Sequence, residues 1–129
     1  MNHVPLSLLA GAALVLGCAA TPALAGTAPR PGLFLTVSGS NNTWIKGVRL
    51  ICEPRPAGMH PNAAAACADL ERAGGDLDGL PGRPRPCTRE YDPVTATATG
   101  TYGGRPISWQ RTFSNACVLE SETGPVFSF

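Results

Sequence analysis

The chain has 129 residues, with ten Lys and Arg, nine Asp and Glu, and a formal net charge of +1. Proteins that bind the phosphate backbone of nucleic acids carry a strongly positive surface. A net charge so close to zero does not fit this, so nucleic acid is not expected as a partner. The length allows one ordinary domain. The 13 Pro and 15 Gly indicate many turns and exclude a coiled coil or a bundle of long helices.

The first 25 residues have the pattern of a secretory signal. They contain no Lys, Arg, Asp or Glu, and their apolar run, Leu8–Leu16, is too short to span a bilayer comfortably. Small residues in Ala23-Leu24-Ala25 fit a signal-peptidase site, so we expect cleavage after Ala25 and a secreted protein without membrane attachment. The alternative is a lipoprotein signal, because Val15-Leu16-Gly17-Cys18 loosely resembles a site for lipidation at Cys18.

Cysteines and histidines limit the chemistry of the mature chain. Cleavage removes one of five cysteines, and an even set in an exported protein predicts two disulfides with three possible pairings. No two have the Cys-x-x-Cys spacing of a metal or redox site. His60 is the only histidine after the signal, which excludes a multi-histidine metal centre and disfavours an enzyme. Neither a metal nor a cofactor is expected. The four remaining cysteines are Cys52, Cys67, Cys87 and Cys117.

Residues 26–32 are predicted to be a flexible N-terminal arm, and residues 33–129 a single domain. Period-two patterns predict strands over 33–37, 46–52, 94–102, 105–113 and 126–129. Gly103-Gly104 predicts a two-residue hairpin in which Ala98 faces Trp109. One face of this hairpin is largely apolar and the other is rich in Thr. Residues 53–61, with three prolines, are expected to form a loop.

Two helices complete the predicted fold. The first begins after Asn62 as N-cap and runs to Ala73, before Gly74-Gly75. The second is short, with Ser114 as its cap. Together these elements predict an α+β domain, an antiparallel sheet of about five strands with two helices packed on one face.

The segment over residues 79–93 is the strongest candidate for a binding site. Prolines fix φ along it, and a disulfide at Cys87 would hold the backbone beside Arg89. Such a loop can present one side chain, already ordered, to a pocket, as extended segments do in protease clefts. The alternative is a disulfide-held surface loop with a solvated Arg89.

From residue 33 to residue 129 the chain resembles the Streptomyces subtilisin inhibitor-like family of secreted serine-protease inhibitors. The four cysteine spacings and several motifs carry the resemblance. The motifs are Leu50-Ile51-Cys52 with Pro54, Gly58-Met59-His60-Pro61, Ala66-Cys67-Ala68-Asp69-Leu70, Gly74-Gly75-Asp76-Leu77, Tyr91-Asp92-Pro93-Val94, Phe113-Ser114-Asn115-Ala116-Cys117 and Val126-Phe127-Ser128-Phe129.

The resemblance implies disulfides Cys52–Cys67 and Cys87–Cys117, and a reactive bond between Arg89 and Glu90. Arg89 would enter the primary pocket of a trypsin-like protease, which ends in an aspartate that a guanidinium can meet with paired hydrogen bonds. Subtilisin-like proteases are the other implied targets. Glu90 departs from the family pattern, where an apolar residue is common.

The family pattern also assigns neighbours of the reactive bond. Asn115 would hydrogen-bond the loop backbone from behind, although a local bond at the start of a helix is an equal alternative. The family is typically a homodimer joined through the sheet faces away from the helices. A non-inhibitory secreted binding or structural module on the same fold is the rival function. The implied protease-binding residues besides the reactive bond are Arg85, Pro86, Cys87, Thr88, Tyr91 and Asp92.

Overall fold

The computed structural model describes residues 11–20 and 31–129. Residues 11–20 are exposed and form no helix or strand. The predicted cleavage site after Ala25, and the predicted arm up to residue 30, lie outside the described residues. Within the described ranges, no helix has the length and apolarity needed to cross a bilayer.

A five-stranded antiparallel sheet forms the body of the protein, with strand order β3-β2-β1-β4-β5. Its central strand β1 buries Leu33, Leu35 and Val37 on the inner side. The β1 residues that point to the opposite face include the exposed Phe34. The strands are β1 (Leu33–Ser38), β2 (Ile45–Ile51), β3 (Ala57–Gly58), β4 (Val94–Tyr102) and β5 (Arg105–Phe113).

The predicted hairpin is confirmed in both its bounds and its register. Ala98 pairs with Trp109, and Val94 pairs with Phe113. The small side chains of Ala96 and Ala98 are fully buried, which leaves room for a helical layer close to the sheet. The alternate residues of β4 are threonines, and they form the opposite face of the sheet, called here the outer face.

Helices α1 (Ala63–Arg72) and α2 (Ala116–Thr123) belong to the layer on the inner face. Helix α1 places Ala66 and Leu70 in the core with no exposed surface. The apolar burial of side chains of this kind stabilises the domain by about 25 cal/mol for each Å² removed from water. The predicted α+β class, with a five-stranded antiparallel sheet and two helices, is confirmed.

The predicted C-terminal strand over 126–129 is wrong. Gly124–Phe127 forms a 3-10 turn that packs between α1 and α2. Both Val126 and Phe127 are buried, whereas a strand on a sheet surface would bury only alternate residues. Pro125 suits the first turn of a helix, because its missing N–H would have no partner there. The fifth strand is instead the two-residue β3, inside the segment that was expected to be a loop.

Of the two predicted N-caps, Asn62 is at the predicted position and Ser114 is not. Asn62 has the N-cap position of α1 but makes no side-chain cap bond; its backbone N–H donates to His60 Nδ1 at 2.9 Å. Because Nδ1 is the acceptor of this hydrogen bond, the ring hydrogen is on His60 Nε2, which donates to the Val126 carbonyl at 3.0 Å. Helix α2 is capped by Asn115 and not by Ser114.

The two implied disulfides are present, and the pairing is confirmed. Cys52–Cys67 joins the end of β2 to α1 across a separation of 15 residues, and Cys87–Cys117 joins the candidate loop to α2 across 30. Loops of these lengths correspond to about 3 and about 3.5 kcal/mol of stabilisation through the restricted unfolded chain. Cys18, within the described residues, is unpaired and exposed.

Candidate functional site

The segment over residues 80–93 has no helix or strand, yet it is attached to the body at several points. The Arg83 N–H donates to the Ser121 carbonyl at 2.9 Å near the end of α2. The Asp92 N–H donates to the Ser114 carbonyl at 2.9 Å near its start. The Cys87–Cys117 disulfide lies between these two attachments. The loop is therefore held along the whole length of one short helix.

Gly82 sets how closely the start of this loop approaches α2. Its φ is +65°, and an added Cβ would lie 2.3 Å from the Ser121 carbonyl oxygen. The same oxygen accepts the hydrogen bond from the Arg83 N–H. A side chain at position 82 would therefore push the loop away from α2 and break this hydrogen bond. Glycine is required here for both its backbone conformation and its size.

We expect Gly82→Ala to lower the free energy of unfolding by roughly 3 kcal/mol or more, because it adds a backbone clash to the cost of left-handed φ. Gly74→Ala is the matched control, since Gly74 has φ +61° and nothing within 4 Å of a built Cβ. It should cost only about 1 to 2 kcal/mol. Urea unfolding of both variants checks this, and equal losses would contradict the clash.

Asn115 connects the loop to the helix through both ends of its amide. Its Nδ2 donates to the Thr88 carbonyl at 3.2 Å and to the Glu90 carbonyl at 2.8 Å. Its Oδ1 accepts the Val118 N–H at 2.9 Å and so caps α2. The sequence left open whether this residue bonds the loop or its own helix, and the side chain makes both kinds of bond. Only 8% of Asn115 is exposed, so its geometry is fixed by packing.

The two bonds from Asn115 bracket the Arg89 carbonyl, which is the carbonyl of the Arg89–Glu90 bond. The side chains of Arg89 and Glu90 are exposed, and Tyr91 beyond them is 80% exposed. Backbone that is fixed from behind, with side chains directed outward, suits insertion into another molecule's cleft. Such a segment loses little conformational entropy on binding, because it is already ordered.

Apart from Cys87 in its disulfide, Arg85 is the one predicted contact residue with a side-chain bond inside the described part of the chain. Its guanidinium meets the Glu120 carboxylate of α2 at 2.6 Å, with both side chains partly exposed. An exposed pair of this kind stabilises by at most about 1 kcal/mol. Pro86 and Thr88 are exposed, and Cys87 is half-buried through its disulfide. Sequence reasoning missed Glu120, because no local pattern links it to a residue 35 positions away.

A separate cavity of about 280 Å³ lies at the opposite end of the β4–β5 hairpin, where Tyr102 and Glu53 are among its lining residues. Burial is the main cause that raises the pKa of Tyr102, and the charges of Glu71 and Glu53 raise it further. This cavity does not include the candidate loop. Within the described residues, no group of three His, Cys, Asp or Glu side chains could hold a metal ion.

Comparison with known proteins identifies the family of this chain. Residues 29–115 match the sequence model of a family described as subtilisin inhibitor-like. The chain belongs to the subtilisin inhibitor-like family. Subtilisin inhibitor-like protein 2 of Streptomyces rochei is 41% identical over 126 residues, covering 97% of this chain and 98% of the relative. The trypsin inhibitor STI2 of Streptomyces longisporus is also 41% identical over 126 residues, covering 94% and 85%.

A solved structure extends the family assignment to three dimensions. One chain in the crystal structure of Streptomyces caespitosus sermetstatin in complex with Bacillus licheniformis subtilisin superposes with a TM-score of 0.61. The sequence identity is 34%, and the match covers 76% of this chain and 97% of that chain. This family is one of protease inhibitors and not of enzymes.

Proposed function

We propose that this protein is a secreted serine-protease inhibitor that acts through a substrate-like loop with its reactive bond between Arg89 and Glu90. The observation that carries the proposal is the Asn115 amide, which bonds the carbonyls on both sides of Arg89. Membership of an inhibitor family, with a relative named as a trypsin inhibitor and a structural match in a complex with subtilisin, supports the same function.

Inhibition would follow from slow and reversible cleavage of the Arg89–Glu90 bond by the protease. The serine hydroxyl of the protease attacks the Arg89 carbonyl carbon, the bond to the Glu90 nitrogen breaks, and that nitrogen leaves as an amine after taking a proton from the protease base. The Glu90 carbonyl remains bonded to Asn115, and Thr88 remains bonded to the same side chain. The new amine therefore stays beside the acyl-enzyme ester, and it can attack the ester and re-form the peptide bond before water does.

Arg89 indicates a trypsin-like target. A guanidinium forms two parallel hydrogen bonds with the carboxylate at the base of such a pocket. Subtilisin-like proteases are proposed as further targets, in which Arg89 would lie in a broader pocket. Glu90 places a negative charge directly after the reactive bond, and we expect it to narrow the set of proteases that bind.

Titration of trypsin and of subtilisin with the purified protein tests the function. We expect each active site to be blocked at a one-to-one ratio, and N-terminal sequencing after long incubation to find a new chain beginning at Glu90. A nick at another bond would reject the reactive bond while keeping the inhibitor function. Absence of inhibition would favour the rival, a binding or structural module on the same fold.

We propose in addition that the protein forms a homodimer through the outer face of the sheet. This face exposes the apolar side chains of Phe34 and Ile45, at 44% and 67%, beside a row of threonines from β4. Burial of such side chains would favour association. Sedimentation velocity at micromolar concentration should give a dimer. A single monomeric species across that range would reject the proposal.

Export through a signal cleaved after Ala25 remains the proposed route. The charge-free first 25 residues and the two disulfides support it, since disulfides persist in oxidising compartments. The intact mass of the protein recovered from the culture medium should match a chain that begins at Gly26. A lipidated N-terminus at Cys18 would establish the alternative, a membrane-anchored lipoprotein.

A further inference from the structure

The turn between β1 and β2 lies beside the leaving-group side of the candidate loop. The Ser40 hydroxyl donates to the Pro93 carbonyl at 3.3 Å, which brings the turn against the chain just after Asp92. Turn and loop together border a groove of about 850 Å³ on the outer face, called here the turn groove. The lining residues that join the turn to the loop are Ser40, Asn41, Asn42, Tyr91, Asp92 and Pro93.

The turn is held rigidly by its own backbone. The Gly39 N–H donates to the Trp44 carbonyl at 3.0 Å, and the Asn42 and Thr43 N–H groups donate to Gly39 and Ser40 at 3.1 Å each. A Cβ on Gly39 would lie 2.3 Å from Trp44 Nε1, so the indole covers the glycine directly. These contacts order the turn before any partner arrives.

Asn41 and Asn42 stand out in this turn. Both have left-handed backbones, with φ of 53° and 52°, a conformation that asparagine tolerates better than most residues. Both are exposed, and neither side-chain amide bonds another group among residues 31–129. Each therefore presents a donor and an acceptor from a fixed position at the edge of the groove.

We propose that the turn groove is a second contact surface for the inhibited protease. It would take a polar segment from the rim of the protease cleft, and Asn41 and Asn42 would hydrogen-bond the main chain of that segment. The inference rests on the proposed function, because a protease that cleaves after Arg89 must cover Tyr91 and Asp92 with its leaving-group side. The turn groove begins at those two residues.

The chemistry of the lining supports a main-chain partner over an apolar one. Hydroxyl and amide side chains predominate, and Asp92 is the one charged residue in the lining. A second copy of this chain is the competing occupant, since the groove also includes threonines of the outer face and Ile45, which the proposed dimer would bury. Continuity with the reactive loop favours the protease, because the turn lies at the loop end of that face and not at its middle.

The Asn41→Gly/Asn42→Gly double variant tests the proposal, because glycine keeps positive φ without strain while both amides are lost. We expect the inhibition constants for trypsin and subtilisin to rise roughly tenfold, as for two lost hydrogen bonds. The Asn41→Asp/Asn42→Asp variant keeps side-chain size and removes the donors, and it should also weaken inhibition. Thr99→Ala/Ser108→Ala, at the other end of the outer face, is the control and should inhibit like the parent protein.

Melting temperature and sedimentation velocity are measured on every variant. Weakened inhibition in both Asn double variants, with parental melting of the Asp form, supports the contact. Unchanged inhibition constants overturn it, and so does a dissociated dimer with unchanged inhibition, which would assign the groove to a second copy. Arg89→Ala is assayed in parallel. If it loses trypsin inhibition while the Asn variants do not, only this inference fails; if it retains inhibition, the proposed reactive bond fails.

Discussion

Replacement of Arg89 with Ala should weaken inhibition of trypsin by roughly 4 kcal/mol, about a thousandfold in the inhibition constant. The exposed Arg89 guanidinium, on the residue before the proposed reactive bond, would reach the carboxylate at the base of a trypsin-like pocket. Its loss leaves that buried carboxylate without a partner, which adds to the cost. Subtilisin inhibition should fall much less. Inhibition constants measured with both proteases check this.

Two variants define what the Arg89 result means. Arg89→Lys keeps the charge without the two-pronged donor and should lie between the parent and the Ala variant. Arg85→Ala removes an arginine of the same loop that is already paired with Glu120, and it should change trypsin inhibition by less than about 1 kcal/mol. If Arg85→Ala caused the larger loss, the reactive bond would have to be sought elsewhere in the loop.

Asn115→Asp should turn the inhibitor into a slow substrate, with Arg89–Glu90 hydrolysed roughly ten to a hundred times faster by trypsin. Oδ1 would still accept the Val118 N–H and cap α2, and a carboxylate is favourable at a helix N-terminus. The donor to Thr88 and Glu90 would be lost, and a negative oxygen would face both carbonyls instead. After cleavage the new amine would no longer be held beside the ester, so water would hydrolyse the ester before the peptide bond re-forms. Mass spectrometry of the nicked chain over time measures the rate.

The Ala variant at the same position distinguishes the effect of the helix cap from the effect of the hydrogen bonds to the loop. Asn115→Ala loses the cap as well as the loop bonds, so its stability should be lower than that of the Asp variant by about 1 kcal/mol. Its hydrolysis should be as fast as that of the Asp variant. If Asn115→Asp resisted trypsin as well as the parent protein does, the amide would only cap the helix, and the disulfide alone would have to hold the loop.

Local patterns predicted the sheet well because its longest hairpin, β4–β5, is specified locally. The alternation of Thr with small apolar residues in β4, and the two glycines after it, place Ala98 opposite Trp109 without reference to the rest of the chain. The C-terminal residues gave the opposite outcome. Residues 126–129 resemble a strand in sequence, but two helices enclose Val126 and Phe127, so both are buried and tertiary packing overrides the local preference.

The candidate site divides in the same way. The sequence pointed to Arg89 through its place between prolines and beside Cys87. It could not choose between the two interpretations of Asn115, because hydrogen bonds to Thr88 and Glu90 depend on how α2 lies behind the loop. No local pattern indicated that Glu120 or the turn at Ser40 contacts the loop, since their partners are 35 and 53 positions away.

What the sequence determined by itself was chemical and local: one near-neutral domain, four cysteines for two bridges, a threonine-rich hairpin, and an arginine in a proline-restricted loop. What the tertiary structure decided was the arrangement of distant groups. It placed one asparagine amide against the carbonyls on both sides of Arg89, and it brought the turn with Asn41 and Asn42 beside the same loop. The reason is physical: residue spacing fixes which face a side chain occupies, but only the packing of helix on sheet fixes which distant backbone it meets.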